Sequence, residues 1–299
     1  MKSKARGIIL ILLIITLGCV SVNRNEPLNA LSDEALPIVS SIEKTDVDPL
    51  VLVLSFDYED LGIDTGTKNL PIIFKILEKH DASATFFILG RTAENNPDSI
   101  KDIYSRGYSI GLHTTIHHFP IFSRESALVI EDVYNTTSSY VWDRSFKTTG
   151  AFMDDLEINR KSVKDAVGND VELNMFRSPS LVVNWSRNPE YFSSLKMANI
   201  EIDSSVFREL GDNKPFYLLY GVVEVPVTVS ETSLSDLENL NRISEEYSKE
   251  GLPLVMYIHP QKLGSNDLII FDEFLSSLEE EYDVTYLMVD EVPTYYGTS

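Results

Sequence analysis

Residues 51–60 read VLVLSFDYED, an apolar run interrupted only by Ser55 and followed by three carboxylates within four positions. A nearly continuous apolar run of this length is typical of a strand that is buried on both faces, as in a parallel sheet. The segment that follows has apolar residues at positions 70, 72, 73, 76 and 77, which lie on one face of a helix. The stretch therefore predicts a buried strand that ends in acidic residues and leads into a helix.

The same alternation of strand and helix continues along the chain. Strand-like runs recur at residues 84–89, 108–112, 173–177, 199–203, 221–227, 253–258 and 283–289. Helical spacing fills most of the gaps, with two helical segments expected between about residues 122 and 170. Alternating strands and helices form right-handed crossovers and a parallel sheet. Because the composition does not change after residue 50, one closed or nearly closed barrel is favoured over an open doubly wound sheet, whose Gly-rich first turn is missing.

The charge balance limits the classes of function. The 299 residues include 25 Lys or Arg and 46 Asp or Glu, which gives a formal net charge of −21. This charge excludes a nucleic-acid binder that works through a basic face, because phosphate recognition requires positive charge. The single cysteine excludes an internal disulfide framework and a Cys-rich zinc site, so His and carboxylates must hold any metal.

The amino terminus has the pattern of an export signal. Basic residues precede an apolar run, 7–18, that ends at Cys19 and is shorter than the roughly 20 residues of a membrane-spanning helix. We predict that residues 1–19 are a lipoprotein signal with Cys19 as the lipidation site, with an uncleaved membrane anchor or a soluble secreted product as alternatives. In each case the body of the protein lies outside the cytoplasm. Residues 20–49 are polar and without periodicity, which predicts a linker, and residues 50–299 form one domain.

Chemically active side chains are expected where the strands end, because functional residues of parallel α/β proteins lie at the carboxyl ends of strands. Five runs are followed by such residues: Asp57 to Asp60, His113 to His118, Arg177, Asp203 and His259. The spacing of His113 and His117 puts both imidazoles on one face of a helical turn, where they can bind one ion. His118 has the wrong register for that ion.

The acidic cluster after the first strand supplies carboxylates to the same end of the sheet. In an extended segment Asp57 and Glu59 share a face, so one of them can complete a metal site while the other acts as general base. His259 is then a candidate general acid. Arg177 is a candidate for orienting a nearby carboxylate through paired hydrogen bonds.

Together these motifs resemble the polysaccharide deacetylase family, the chitooligosaccharide-deacetylase-like esterases that remove acetyl groups from N-acetylated sugars. The resemblance covers about residues 50 to 290 and implies a distorted (β/α)7 barrel, a deformed TIM-like fold, as a single catalytic domain. It is carried by Ser55-Phe56-Asp57, Ala84-Thr85-Phe86-Phe87, the segment from Gly107 to His117, Phe176-Arg177-Ser178-Pro179, Ile202-Asp203-Ser204-Ser205, and Tyr257-Ile258-His259-Pro260.

The resemblance also implies a role for each site residue. His113 and His117 would ligate a divalent metal, usually zinc, and Asp57 would remove a proton from bound water, steadied by Arg177. His259 would protonate the leaving amine. The family further implies that Asp203 supports the His259 imidazole or the Arg177 network, and that a backbone N–H near Ser180 helps the metal to hold the oxyanion.

The sequence departs from the family pattern in two places. Tyr58 stands where the family most often has a second Asp as metal ligand. A subset of relatives carries the acid two residues after the base, so we predict Glu59 as the third ligand, with Asp60 as the alternative. Ser180 and Leu181 replace the usual Tyr and Gly after the Arg-x-Pro motif, which affects substrate contacts in that loop.

The leading hypothesis from the sequence is a metal-dependent hydrolase that removes N-acetyl groups from a cell-surface or extracellular glycan. The negative charge disfavours anionic polymers, so a neutral or amino-bearing glycan fits better. One alternative is an amidase or imidase of the same superfamily that cleaves a carbon–nitrogen bond in a small molecule. The other is a catalytically silent glycan-binding protein that has lost its metal through the change at Tyr58.

Overall fold

The structure is a computed structural model that describes residues 48–62, 64–133, 139–183, 188–209 and 211–297. These residues belong to one compact unit. The predicted signal at 1–19, and all but the last two residues of the predicted linker, lie outside the described residues. No helix within the described ranges is both long and apolar enough to cross a bilayer.

The described strands form one sheet. Their bounds are β1 Pro49–Tyr58, β2 Thr85–Ile88, β3 Ser109–Leu112, β4 Met175–Phe176, β5 Ile202–Asp203, β6 Tyr217–Leu219, β7 Val222–Glu224, β8 Val229–Ser230, β9 Leu254–Ile258 and β10 Asp283–Leu287. The order is β6-β7-β5-β4-β3-β2-β1-β9-β8, and β10 pairs with the first half of β1. The β6–β7 hairpin is antiparallel, whereas the other pairs are parallel. The predicted parallel sheet is confirmed.

Strands β7 and β8 lie near opposite ends of the sheet order and are joined by one short segment of the chain. The sheet therefore curls into a nearly closed barrel. The predicted strand at 221–227 contains only β7, which pairs with β5, whereas β8, which pairs with β9, follows this run at Val229–Ser230. Between them the N–H of Val225 bonds the carbonyl of Asp203, and the N–H of Thr228 bonds that of Val255. Val227 still bonds to the β5 side through the carbonyl of Val206, so the partner changes between Val227 and Thr228. The predicted distorted (β/α)7 barrel is confirmed.

Helices cover the outer face of the sheet. Their bounds are α1 Thr65–Lys79, α2 Gly90–Asn95, α3 Pro97–Ser105, α4 Arg124–Val133, α5 Tyr140–Asp143, α6 Thr149–Val167, α7 Pro189–Met197, α8 Leu237–Glu250, α9 Ser265–Glu281 and α10 Val292–Tyr295. The two helical segments expected between about 122 and 170 are α4 and α6, with the single turn α5 between them. Thr148 caps the start of α6 and Asp236 caps the start of α8, since each side chain accepts a backbone N–H of the first helical turn.

Side-chain alternation along β1 places functional groups inside the barrel. Leu52 and Leu54 face outward into the core that β1 shares with the helices. Val51 and Val53 face inward into a second core, enclosed by the sheet. Because the side-chain period of a strand is two, Asp57 lies on the inward face, beyond the apolar interior and at the open end of the barrel.

A glycine in β3 allows close packing next to the site. A Cβ atom on Gly111 would lie 2.5 Å from the ring of Phe87, a distance that real Cβ atoms do not adopt. The Phe87 ring in turn carries the Arg177 guanidinium, whose carbon lies 4.2 Å from the ring centroid. Gly111 therefore leaves the space in which Phe87 supports the buried arginine.

Candidate functional site

The carboxyl ends of β1, β3, β4 and β9 bring together six of the predicted site residues, which are Asp57, Glu59, His113, His117, Arg177 and His259. β1 leads into Glu59 and β3 into His113, while β4 and β9 are followed by Arg177 and His259. These strands lie within three positions of β1 in the sheet order. These side chains lie at the strand ends, where the sequence analysis expected them.

Glu59, His113 and His117 form a compact group of donor atoms. Oε1 of Glu59 lies 2.8 Å from Nε2 of His113 and 3.2 Å from Nε2 of His117. One ligand atom from each residue lies within 4.8 Å of the others. His113 is fully buried, whereas Glu59 and His117 are partly open to solvent. The three residues predicted as ligands therefore converge, and Glu59 also belongs to a second such group, with Asp57 and His259.

The segment that carries the two histidines is not helical, so the expected helical turn is wrong. After β3 the chain bends through left-handed conformations at Thr114 and His117, whose φ angles are 59° and 64°. Helix α6 holds this bend: Asn159 donates to the carbonyl of Thr114, and Asp155 accepts the N–H of Thr115 at 2.8 Å. His113 and His117 come close together because the chain bends at these two left-handed residues, and not because it forms a helical turn.

The hydrogen bonds of His113 fit a cation between the donors. Its Nδ1 lies 2.8 Å from the carbonyl oxygen of Arg177, which can only accept, so Nδ1 carries the proton. In the neutral imidazole Nε2 then presents a lone pair to the Glu59 carboxylate, and two acceptors attract only when a proton or metal ion lies between them. Carboxylate plus two imidazoles, one fixed by a backbone carbonyl, is a donor set suited to a divalent metal such as zinc.

When protons instead of a metal ion lie between these donors, the histidines also keep Glu59 ionised. Burial alone would raise the pKa of its carboxyl group. Hydrogen bonds and charge from His113 and His117 outweigh burial and hold the pKa of Glu59 well below its ordinary value. Gln261, two residues after His259, donates its side-chain N–H to Oε2 of Glu59 at 3.2 Å and so fixes the carboxylate that faces the histidines.

Asp57 is held by a wholly buried arginine. Nη1 of Arg177 donates to Oδ1 of Asp57 at 2.9 Å and also to the hydroxyl of Ser55. On its other side the guanidinium donates to the carbonyl and the hydroxyl of Ser204, each at 2.8 Å. With Oδ1 occupied, Oδ2 of Asp57 is the oxygen that faces His259, whose Nε2 lies 4.0 Å away.

His259 has a carboxylate partner that the sequence did not single out. Its Nδ1 lies 3.1 Å from both carboxylate oxygens of Glu231, which also faces Lys262 at 3.5 Å. Its Nε2 faces Oδ2 of Asp57 and lies 3.8 Å from Oε1 of Glu59. Burial lowers the pKa of His259, but the hydrogen bond that it donates to Glu231 and the charges of these acids outweigh burial and raise the pKa above its ordinary value.

Asp203, expected beside His259 or within the Arg177 network, lies close enough to Arg177 for the arginine's charge to act on its carboxyl group. Its carboxylate accepts the Tyr191 hydroxyl at 2.9 and 3.0 Å and the Ser205 hydroxyl at 2.6 Å. It is paired across β5 and β7 with Glu224. The carboxylate that contacts His259 is therefore that of Glu231. Asp203 lies in a buried cluster behind Arg177.

Asp60, the alternative third ligand, is engaged at the start of α1. Its oxygens accept the N–H of Gly66 at 2.9 Å and both the N–H and the hydroxyl of Thr67 at 2.6 Å. The hydroxyl of Tyr58 contacts the same Thr67 at 2.5 Å, so Tyr58 and Asp60 point away from the site as strand alternation requires. Glu59 is the acid of this cluster that faces the two histidines.

Two other residues named from the sequence lie at the edge of the site. Ser180 sits in the turn Pro179–Leu181 with a left-handed φ of 58°. The His118 ring packs edge-on against Phe146 at a centroid distance of 5.8 Å. Burial, followed by the nearby cations Arg144 and Lys147, lowers the pKa of His118. His118 thus lies outside the donor group, as its register predicted.

The chain was compared with known proteins. A family model described as polysaccharide deacetylase matches residues 44–193, about half of the chain. A peptidoglycan-N-acetylglucosamine deacetylase of Bacillus cereus is 36% identical over 69 residues, 23% of each protein. The peptidoglycan-N-acetylmuramic acid deacetylase PdaA of Bacillus subtilis is 30% identical over 92 residues, 30% of this chain and 33% of that protein. These matches span a third or less of the relatives' own length.

Solved structures share the fold at low identity. A polysaccharide deacetylase candidate from Mycobacterium smegmatis superposes with a TM-score of 0.63 at 16% identity, over 87% of this chain and 94% of that one. An allantoinase gives 0.61 at 11% identity, over 83% and 90% of the two chains. A CE4 family pseudoenzyme from Bacillus anthracis gives 0.50 at 17% identity, over 81% and 64%. Likeness at these identities establishes the fold alone.

Proposed function

Because the chain belongs to the polysaccharide deacetylase family, we propose that it is a metal-dependent hydrolase that removes N-acetyl groups from a cell-surface or extracellular glycan. The observation that carries the proposal is the arrangement of the three candidate ligands, Glu59, His113 and His117, beside a carboxylate and an imidazole that are not part of that group. Asp57 and His259 stand 4.0 Å apart next to the donor atoms. Hydrolysis of an amide needs a base and an acid in that position.

Each residue of the site has a role in the proposed reaction. A divalent ion held by Glu59, His113 and His117 would supply positive charge that polarises the acetamide carbonyl and acidifies water. Asp57 takes the proton of the attacking water at Oδ2, since Arg177 occupies Oδ1.

His259 completes the proposed reaction as general acid. Its Nε2 gives a proton to the departing nitrogen, while Glu231 holds the proton on Nδ1 and stabilises the charged imidazole. Water is thereby divided between the two products, acetate and the free amine of the sugar. The proton taken by Asp57 replaces the one that His259 has given, so the site returns to its starting state.

The test is release of acetate from oligomers of N-acetylglucosamine by the full chain. We expect release that a chelator stops and that added zinc restores. Asp57→Asn should reduce kcat by about 10²–10⁴, the usual contribution of a general base, while the metal content stays unchanged. Retained activity in Asp57→Asn would remove this residue from the role of base.

The same preparation separates the two other hypotheses. Hydrolysis of cyclic imides without release of acetate from glycans would favour a small-molecule amidase or imidase. A protein that contains almost no metal after gentle purification, yet still binds glycans, would favour a catalytically silent binding protein. The donor group at Glu59 supports the metal-binding hypothesis over this last one, because it supplies a carboxylate even though Tyr58 does not.

We propose further that the enzyme is exported and attached to the membrane through Cys19. The basic start and short apolar run support this proposal. Growth with labelled palmitate should label the wild-type protein, and Cys19→Ser should abolish the label and release the protein into the medium. Labelling that persists in Cys19→Ser would contradict lipidation at this residue.

A further inference from the structure

Two carboxyl groups are sealed inside the wall of the barrel, outside the proposed chemistry. Asp203 ends β5 and Glu224 ends β7, and they are opposite each other across these parallel strands. Both residues are 0% exposed. The Arg177 guanidinium is ion-paired with Asp57, and no ion pair reaches either sealed carboxyl within the part of the chain that the structure describes.

The hydrogen bonds of the two groups differ. The Asp203 carboxylate accepts from two hydroxyls, those of Tyr191 and Ser205. Oε1 of Glu224 accepts the N–H groups of Ser205 and Val206 at 3.1 and 3.0 Å. Oε2 of Glu224 is buried and receives no hydrogen bond from a donor in the described ranges. The side chain of Asp203, another acceptor when ionised, stands opposite Glu224 in the register of β5 and β7.

Such a pair cannot carry two negative charges at neutral pH. Burial raises the pKa of Glu224, and the charge of Asp203 raises it further. Burial also raises the pKa of Asp203, although its hydrogen bonds and the charge of Arg177 work in the opposite direction. The negative charge is therefore better stabilised on Asp203, and the proton belongs on Glu224. This is the expected outcome when two carboxyl groups share a dry site.

We propose that Glu224 is a neutral carboxylic acid in the folded protein, that its Oε2–H donates to the Asp203 carboxylate, and that it acts as the positioning residue for Arg177. A proton between these two oxygens turns a repulsive contact into a hydrogen bond. It also satisfies the buried Oε2, which would otherwise lose its hydration without compensation.

The route from Glu224 to Arg177 is a short chain of hydrogen bonds. Oε1 of Glu224 fixes the backbone of Ser205 and Val206, directly after Ser204. Ser204 accepts from Arg177 through its carbonyl and its hydroxyl. Ser205 also binds the N–H of the residue that follows the arginine. Glu224 thus holds the turn that orients the guanidinium, whose catalytic relevance rests on the function proposed above.

Infrared spectroscopy tests the proton directly. The full chain at pH 7, freed of metal by a chelator, should show the carbonyl stretch of a protonated carboxylic acid, and labelling of all Glu with ¹³C should shift that band. Asp155 is also a buried acid whose pKa burial raises, so the Glu label and the variant Asp155→Asn identify the source. A band that is missing at pH 7, or that Glu labelling leaves in place, would overturn the proposal.

The positioning role is tested with two substitutions at one site. Gln has the shape of the neutral acid, with an oxygen for the two N–H groups and an N–H for Asp203, whereas Ala has neither. We expect Glu224→Ala to lower kcat on N-acetylglucosamine oligomers by about 100-fold, the usual effect of a misplaced catalytic group, with little change in KM. Glu224→Gln should restore most of kcat. A Gln variant as inactive as the Ala variant would contradict a neutral Glu224.

The two arms keep this proposal separate from the proposed function. If no variant and no wild-type preparation releases acetate, the deacetylase proposal fails while the infrared band still decides the protonation of Glu224. If acetate is released but the band is absent, the deacetylase proposal stands and the neutral acid is wrong. The spectrum of the wild-type protein remains decisive even if Glu224→Ala does not fold.

Discussion

Two clusters at the same end of the barrel use similar residues in opposite ways. In the site cluster, Glu59 lies among imidazoles at the solvent-facing rim, and its pKa is held below the ordinary value. In the sealed cluster, Asp203 and Glu224 lie between β5 and β7, and burial raises the pKa of both. Both clusters follow strand ends. The two clusters differ in the groups that contact the carboxylates. At the rim these are cationic or metal-binding groups, and inside the wall they are hydroxyls and N–H groups.

The largest effect is expected when the carboxylate at the rim, that of Glu59, is replaced by a neutral group. Glu59→Gln replaces a charged ligand by a neutral amide of the same shape, so we expect metal affinity to fall by more than the roughly 10–100-fold that loss of an outer hydrogen-bond partner costs. Activity on acetylated glycans should disappear with the metal. Metal content by elemental analysis and acetate release measure the two effects.

Asp60 provides the matched control for this change. Asp60→Ala removes the acceptor of the Gly66 and Thr67 N–H groups, which should cost about 1–2 kcal/mol of folding stability, as for other helix caps. Metal binding should persist, since Asp60 points away from the histidines. Loss of metal in Asp60→Ala, with retention in Glu59→Gln, would make Asp60 the third ligand.

The strand-end rule predicted much of the rim because it depends only on a parallel sheet. Once β1, β3, β4 and β9 are parallel strands of one curled sheet, the side chains of Asp57, His113, Arg177 and His259 lie at the same end of the barrel. Alternation along one extended segment also separated Glu59 from its neighbours. These inferences need no knowledge of the loops.

The residues that the sequence did not reveal lie where the strand boundaries were hidden. Strand β8, Val229–Ser230, was not among the predicted runs, and Glu231 follows directly after its end. A predicted strand at β8 would have pointed to Glu231 by the same rule. Glu224 carried a signal of its own, as the one charged residue in an apolar run. Gln261 gave no signal, because its contact with Glu59 depends on a short turn after β9.

A moderate effect is expected where a rim imidazole depends on its carboxylate. Glu231→Gln removes the anion that stabilises protonated His259, so the pKa of His259 should fall. General-acid activity requires the protonated form and is lost as pH rises through that pKa. The alkaline limb of the rate profile should therefore move to lower pH, and kcat for acetamides at pH 7–8 should drop by about 10–100-fold, the usual scale for a general acid or its support.

A change of leaving group sharpens this prediction. Activated aryl acetates expel a leaving group that needs no proton, so Glu231→Gln should impair them far less than acetylated sugars. Lys262→Gln is the control on the same carboxylate, since it removes a charge 3.5 Å from Glu231 without touching His259. Equal losses on amides and aryl esters would show that Glu231 supports the fold of the site and not the acid.

The smallest effect is expected in the pH dependence of stability, where the sealed cluster differs from the rim. A carboxyl with a raised pKa keeps its proton in the folded state at pH values where the unfolded chain has lost it. The folded protein then binds more protons, so its stability falls as pH rises above the ordinary carboxyl pKa near 4, by at most about 1.4 kcal/mol per pH unit for one shared proton. Glu224→Gln cannot lose that proton, and its unfolding free energy should decline less steeply between pH 5 and 8.

Urea titrations of both metal-free proteins measure the difference, in which all other ionisable groups cancel, including Tyr191 and Arg177 that face the pair. Parallel curves would mean that no proton is held between Asp203 and Glu224, and the contrast between the two clusters would then lie in solvent exposure alone.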